Sequence, residues 1–304
     1  MMKPRLARGT VDLAGAGDGG WTVVLFVAAK IMTALHAYLA HYDLVVVTGG
    51  SSGIGEAFIR GLQARRPTLA FCNVSRRAPT LASKGLNLVH VPCDLARRDE
   101  VASAAASVIR WAERAEAAPG RMLLINNSGF GAYGRFPEPA LERQLELIDV
   151  NIRALVELTG RLLPVLRARG GAIVNVASTA AFQPTPFLAT YGASKAFVLH
   201  WSLALHEELR GTGVGTLALC PGPTRTGFFR RAGVEAGGAD DRLSMTREAV
   251  VEAALRALAA GRRQVVPGWK NKLSTWVAAR GPKPWVARVA GLALARMRLP
   301  ANQR

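Results

Sequence analysis

Between residues 44 and 268 the chain alternates short apolar runs with longer amphipathic stretches, and this alternation constrains the fold more than any other feature. The apolar runs fall at 44–48 (LVVVT), 69–74 (LAFCNV), 87–91 (NLVHV), 122–126 (MLLIN), 172–178 (AIVNVAS) and 214–220 (VGTLALC), with a further candidate at 263–267 (RQVVP). They are rich in β-branched residues and largely lack polar alternation, so each strand needs cover on both faces. Amphipathic stretches at 54–66, 97–117, 138–168, 191–211 and 246–260 are the expected helices that supply the cover. Strand and helix succeeding one another at these spacings give right-handed crossovers and a parallel sheet. The predicted fold class is therefore α/β: a doubly wound, Rossmann-type parallel sheet of about seven strands with helices on both faces.

No internal repeat or linker interrupts 44–268, so a single α/β domain is expected there, with an N-terminal extension over 1–43 and a basic amphipathic extension over 269–304. Residues 1–20 are polar and glycine-rich and are expected to be disordered. Residues 21–40 are apolar except for Lys30, His36 and two threonines. Such a helix is just long enough to span a bilayer, but Lys30 near its centre costs about 2.5–3.5 kcal/mol on insertion scales. Three readings stand for it: a helix packed on the domain or a membrane surface, an anchor, or an upstream segment preceding a start at Met32.

The 304 residues carry 39 Lys or Arg against 21 Asp or Glu, a net charge of +18. That excess invites an anionic partner. Most of the arginines are scattered and no nucleic-acid motif accompanies them, so nucleic acid is not an expected partner. The tail differs: the last acid is Glu252, and residues 253–304 contain eleven Lys or Arg. Trp269, Trp276 and Trp285 are interleaved there with Lys270, Lys272, Arg280, Lys283, Arg288, Arg296, Arg298 and Arg304. Leu273, Trp276 and Val277, then Val286, Val289, Leu292 and Met297 after Gly281-Pro282, fall at helical spacing. Two amphipathic helices suited to a membrane headgroup boundary are expected. Packing on the chain's own domain or a partner subunit, and attraction of an acidic substrate carrier, are the alternatives. Cys72, Cys93 and Cys220 lie far apart without a CxxC pattern and read as inert, strand-borne small hydrophobes in a reducing compartment. The histidines form no ligand pattern, and no metal is expected.

Four features carry chemistry. The first strand runs through Thr48 into Gly49-Gly50-Ser51-Ser52-Gly53-Ile54-Gly55 and then a helix, a turn whose backbone N–H groups and helix dipole suit a pyrophosphate. An acid binding a ribose 2′-hydroxyl would lie about 20 residues on. No Asp or Glu occurs between Glu56 and Asp94; Ser75-Arg76-Arg77 stands there instead, and guanidinium suits a 2′-phosphate. Tyr191 and Lys195 are spaced i,i+4 on one helix face. A free phenol has a pKa near 10, and a neighbouring ammonium is expected to lower it toward general acid–base work. Ser178 ends a strand, where open α/β sheets bind ligands, and its hydroxyl suits a developing oxyanion.

These residues resemble the short-chain dehydrogenase/reductase family, in its compact single-domain branch, over about residues 44–268. Thr48–Gly55 resembles the family's TGxxxGIG cofactor loop. Asp94-Leu95 resembles the acid that holds the adenine ring. Asn127-Ser128-Gly129, after Asn126, stands where the family has NAG, with serine in place of alanine. Asn151 matches the helix asparagine, and Ser178, Tyr191 and Lys195 match the serine, tyrosine and lysine of the catalytic set. Pro221-Gly222-Pro223-Thr224-Arg225-Thr226 resembles the loop beside the nicotinamide. The resemblance implies that Tyr191 exchanges the proton with a carbonyl oxygen. It further implies that Lys195 holds the ribose and lowers the Tyr191 pKa, that Ser178 positions the carbonyl, and that Asn151 anchors a relay water.

The expected function is an NADP(H)-dependent oxidoreductase, preferring NADP(H) to NAD(H), that interconverts a carbonyl and a secondary alcohol on a hydrophobic or lipid-like substrate such as a ketone or 3-oxoacyl compound. A non-catalytic NADP-binding regulator on the same fold is the alternative, against which the intact Asn151, Ser178, Tyr191 and Lys195 set argues. Phe182, Phe187 and Leu188 are expected either to wall the substrate pocket or simply to pack. The stretch 222–245, with Phe228, Phe229 and Met245, reads as a mobile lid or an idle loop. The expected assembly is a homodimer or homotetramer, and the expected location is cytoplasmic, with membrane association through either extension.

Overall fold

A computed structural model describes residues 30, 32–81, 85–115, 120–234 and 244–295. Its centre is one parallel sheet of seven strands: β1 (Tyr42–Thr48), β2 (Ala70–Ser75), β3 (Asn87–Pro92), β4 (Arg121–Asn126), β5 (Gly171–Val176), β6 (Val214–Leu219) and β7 (Gln264–Val265). The strand order is β3-β2-β1-β4-β5-β6-β7. The order in which successive strands are added therefore reverses between β1 and β4, and the strand C-termini open a crevice there.

Period-2 geometry explains why the strands are apolar throughout. Val45 and Val47 of β1 and Leu123 and Ile125 of β4 enter one core. Leu44 and Val46, with Met122 and Leu124, enter the other. The first core is covered by α1 (Gly53–Arg65) and a later helix over Arg247–Ala259, and the second by α2 (Arg98–Arg114). The expected helix over 138–168 is three pieces: α3 (Leu141–Ile148), a π-helical turn (Asp149–Arg153) and α4 (Ala154–Arg169). α5 (Ala189–Glu208) follows, then α6 (Arg247–Ala259), α7 (Trp269–Arg280) and α8 (Lys283–Ala295).

Residues 32–39 are helical, and Leu35 and Leu39 are buried in the first core. This part of the N-terminal apolar segment packs on the domain, and the Tyr38 and Tyr42 hydroxyls meet at 2.6 Å. Residues 1–29 lie outside the described residues, as do 235–243 of the expected lid and Arg296, Met297, Arg298 and Arg304 of the tail. Among the described residues no helix is long and apolar enough to cross a membrane. The cysteines are buried and free, and burial pushes each thiol up to about 12, which keeps them protonated and inert. Only Cys72 lies within a strand; Cys93 directly follows β3, and Cys220 directly follows β6, which ends one residue before its apolar run does.

Candidate active site

A cleft of about 850 Å³ lies at the strand C-termini. One end is built on the turn after β1. Gly49 and Gly53 adopt φ of +68° and +63°, a region open to glycine at little cost. A Cβ on Gly49 would sit 2.7 Å from Ser128 Oγ, so the approach of the β1 and β4 loops requires its absence. Those loops are tied together through Thr48: its Oγ1 accepts from the Asn127 and Ser128 N–H groups at 3.0 Å each, and Asn127 Nδ2 donates back to Thr48 O at 3.0 Å. Ser52 stands at the N-terminus of α1 but makes no side-chain cap, which leaves the first-turn N–H groups without that partner.

The end of β2 completes this half. Asn73 Oδ1 accepts from Gly50 N at 2.7 Å, Asn73 Nδ2 donates to Ser75 Oγ at 2.8 Å, and Ser75 Oγ donates to Arg77 O at 2.8 Å. Ser75 therefore shapes the turn that projects the two arginines. Arg76 faces Asp94 at 4.0 Å and Glu146 at 3.8 Å. Arg77 lies near Arg231, whose Nη1 approaches Ser52 Oγ at 3.5 Å. Partial desolvation, then the Arg77 and Arg230 charges, push the Arg231 pKa down. Among the described residues no carboxylate pairs with Arg77, Arg230 or Arg231. A glycine cradle beside uncapped N–H groups, with Arg77 and Arg231 lining the same cleft, fits the phosphates of a dinucleotide. The sequence offered only an Arg230-Arg231 pair in a glycine-rich stretch, too weak a signal to single it out.

At the other end Ser178, Tyr191 and Lys195 are all buried and line the same cleft. Ser178 lies two residues past β5 and caps the short 3-10 turn Thr179–Phe182, its Oγ accepting from Ala180 N at 3.1 Å. Its O–H is directed at the Tyr191 phenol oxygen. Burial pushes the Tyr191 phenol up to about 12, and a hydrogen bond with Ser178 pulls the other way. The expected lowering by Lys195 is not seen. The ammonium instead donates to Val176 O at 2.8 Å, 5.9 Å from the Tyr191 ring centre, and burial lowers its own pKa to about 8. In this environment desolvation outweighs the neighbouring charge. A Cβ on Gly129 would meet Asn151 Oδ1 at 3.0 Å and Lys195 Nζ at 3.1 Å, so glycine there lets all three close up.

Gly222, Thr224 and Thr226 also line the cleft; Thr224 Oγ1 donates to Gly222 O at 2.9 Å, and the Thr226 methyl faces Gly53 across it. Of the expected hydrophobic wall only Leu188 lines the cleft, joined by Phe228 and Phe229 from the stretch expected as a lid or idle loop. Phe187 stacks on Tyr133 with ring centres 5.8 Å apart, Phe182 packs in a neighbouring cluster, and Met245 bridges to Thr224. Sequence reading missed Phe130, Arg143 stacked over it at 3.8 Å, and Ala293 and Leu294 from α8. Among the described residues no group of three or more acid, histidine or cysteine side chains is arranged to hold a metal.

Residues 43–235 match the model of the short chain dehydrogenase family. The chain belongs to that family. Over 187 residues it is 33% identical to ketoacyl reductase HetN of Nostoc sp., covering 59% of this chain and 62% of that protein. The chain therefore spans less than two thirds of that relative's length. Among solved structures it resembles a short chain dehydrogenase from Burkholderia cenocepacia in complex with NADP, with a TM-score of 0.67, 26% identity and coverage of 82% of this chain and 98% of the other. It also resembles a short-chain dehydrogenase from Sphingobium yanoikuyae in complex with NADPH, with a TM-score of 0.67, 29% identity and coverage of 78% and 93%.

Proposed function

We propose that this protein is an oxidoreductase that interconverts a carbonyl and a secondary alcohol, prefers NADP(H) to NAD(H), and acts on a hydrophobic substrate. The observation that carries this reading is the convergence of buried Ser178, Tyr191 and Lys195 on one cleft whose other end is a glycine cradle flanked by Arg76, Arg77 and Arg231. When bound, the dinucleotide supplies the hydride. Gly49, Ser51, Ser52, Gly53, Ile54 and Gly55 cradle its phosphates, with Arg76, Arg77 and Arg231 at the 2′-phosphate end and Asp94 and Leu95 beside the base. Asn127, Ser128, Gly129, Pro221, Gly222, Thr224 and Thr226 wall the remainder.

Tyr191 holds the transferable proton: a phenol kept neutral by burial donates it to the substrate oxygen as negative charge develops there. The Ser178 O–H, directed at the phenol in the substrate-free protein, donates to the same substrate oxygen. Lys195, fixed by Val176 O, supplies the cation that stabilises the phenolate left behind and a donor for ribose hydroxyls. Phe130, Leu188, Phe228, Phe229 and Leu294 give the substrate end an apolar lining, which favours a ketone or 3-oxoacyl compound over a sugar. Exposed Leu141, Leu145 and Ile148 on α3, with Phe197 on α5, offer a second copy an apolar face, supporting a homodimer or homotetramer.

The test is a screen of carbonyl compounds of graded chain length against the loss of NADPH absorbance, with Tyr191→Phe as the control. Turnover of an apolar ketone by the wild type alone is expected. Tight NADPH binding with no carbonyl turned over would sink the reading in favour of a regulatory role.

A further inference from the structure

Each of the last two helices has an inner and an outer face. On α7, Thr275 and Ala278 are buried. On the opposite side Trp269, Leu273, Trp276 and Arg280 fall on one stripe at 3.6 residues per turn, with Val277 beside it and Lys270 and Lys272 on its two edges. On α8, Val286 and Ala290 are buried, while Trp285, Arg288, Val289 and Leu292 run along the outer face. The three tryptophans are 71%, 56% and 60% exposed and Leu292 is 64% exposed. Single exposed apolar residues are ordinary, but stripes on two consecutive helices mark an interaction surface. Cations sit on the same face: Lys270 Nζ lies 5.8 Å from the Trp269 ring centre, and the Arg280 guanidinium 4.6 Å from that of Trp276.

Charge selects the occupant. No acid follows Glu252 in the chain, so pairing this face with a second copy of itself would set cation against cation. An anionic bilayer answers the cations and takes the tryptophans at its headgroup boundary. We propose that the outer faces of α7 and α8 dock this protein on an anionic lipid surface. The inner face joins that surface to the chemistry. Ala293 and Leu294 line the cleft, Tyr133 Oη donates to Leu294 O at 2.7 Å, and Pro186 packs against Gly291. One helix thickness, roughly 10 Å, separates lipid from the substrate end. Resting on the carbonyl reduction proposed above, the substrate class is then a long-chain carbonyl lipid taken up from the bilayer.

The experiment is co-sedimentation of the full chain with phosphatidylglycerol or phosphatidylcholine vesicles, comparing wild type, Trp276→Ala/Trp285→Ala and Lys270→Ala/Lys272→Ala. Wild type is expected to pellet with phosphatidylglycerol only and to be released by salt. The tryptophan pair lowers the partition coefficient by about tenfold or more, and the lysine pair by about 25-fold at low salt. Sedimentation without vesicles gives all three the same mass. Equal partitioning of the three proteins, or a variant that falls to a smaller assembly, overturns the proposal, the latter by assigning the face to a second copy. A long-chain methyl ketone in phosphatidylglycerol vesicles and a short soluble ketone, each with NADPH, test delivery. The tryptophan pair loses rate on the first and keeps it on the second. Equal rates on the vesicle ketone overturn delivery from the bilayer. Vesicle binding with neither ketone turned over leaves the docking surface standing and sinks the oxidoreductase reading alone.

Discussion

Asn151 and Phe130 hold each other through two hydrogen bonds: Phe130 N donates to Asn151 Oδ1, and Asn151 Nδ2 donates to Phe130 O, each at 3.1 Å. The second amide hydrogen goes to Ser194 Oγ at 3.0 Å. Both donors of the side chain are therefore spent on protein atoms. The residue sits in the π-helical turn Asp149–Arg153, an irregularity of the kind that gathers at functional sites. A relay water, the role the family resemblance implied, cannot draw on those donors, and the observed task of the side chain is to fix the loop after β4 against α5.

That clamp predicts a stability effect. Asn151→Ala leaves a buried N–H and C=O of Phe130 unpaired, at a cost of about 2–4 kcal/mol. The melting temperature is expected to fall by about 5–15 °C. A calorimetric midpoint within about 2 °C of wild type would show that the clamp contributes little.

Tyr191→Phe removes the phenol and keeps the ring. Turnover of any carbonyl substrate is expected to be lost while NADPH affinity changes less than about threefold. Ser178→Ala keeps the proton donor and removes one hydrogen bond to the developing charge, so kcat falls by about 100- to 1,000-fold. Steady-state kinetics beside fluorescence titration of NADPH separate these outcomes, and a Tyr191→Phe protein with wild-type kcat would remove the proton-transfer assignment.

Arg77 and Arg231 have no carboxylate partner among the described residues, whereas Arg76 faces Asp94 and Glu146. Losing one charge-assisted phosphate contact costs about 1.5–3 kcal/mol. Arg77→Ala and Arg231→Ala are each expected to weaken NADPH about 10- to 150-fold and to leave NADH nearly unchanged. Arg76→Ala is expected to do less, because the Asp94 and Glu146 carboxylates already answer part of its charge. Calorimetric titration with both cofactors checks this; equal affinity of the wild type for NADPH and NADH would refute the preference.

Lys195 makes the cofactor-free protein sensitive to pH in a defined direction. Burial lowers its pKa from 10.5 to about 8, so between those values the unfolded chain binds a proton that the folded chain has released. Stability contributed by this group is therefore lowest below about 8 and rises with pH above it. The three buried thiols, raised from 9.0 to about 12, and Tyr191, raised from 10.0 to about 12, act in the opposite sense above 9.0 and 10.0, which confines the clean window to pH 8–9. Urea midpoints of wild type and Lys195→Met across that window are expected to converge as pH rises. Parallel curves would show that the lysine is not desolvated.

The sequence by itself determined what is carried by neighbouring residues. The alternation of apolar runs and amphipathic stretches defined the doubly wound sheet, because a strand apolar on both faces needs cover on both. The glycine turn after β1 and the Tyr191/Lys195 spacing were legible because a turn, a helix face and a strand end are local objects. Packing decided the rest. The π-turn at Asn151 hides inside a continuous amphipathic pattern, since its cause is a clamp to Phe130 and Ser194. Phe182 and Phe187 lie in the right interval of chain, yet Phe182 packs into a neighbouring cluster and Phe187 stacks on Tyr133, while Phe130 and Leu294 face the cleft. Arg231 gained its place beside Ser52 from a fold that brings residues 179 positions apart into contact. The tail shows the division most plainly. Its tryptophans and cations announced a surface, but only the Tyr133–Leu294 hydrogen bond, spanning 161 positions, made α8 a wall of the site. Contacts of that range depend on where whole elements settle against one another, and no local pattern encodes them.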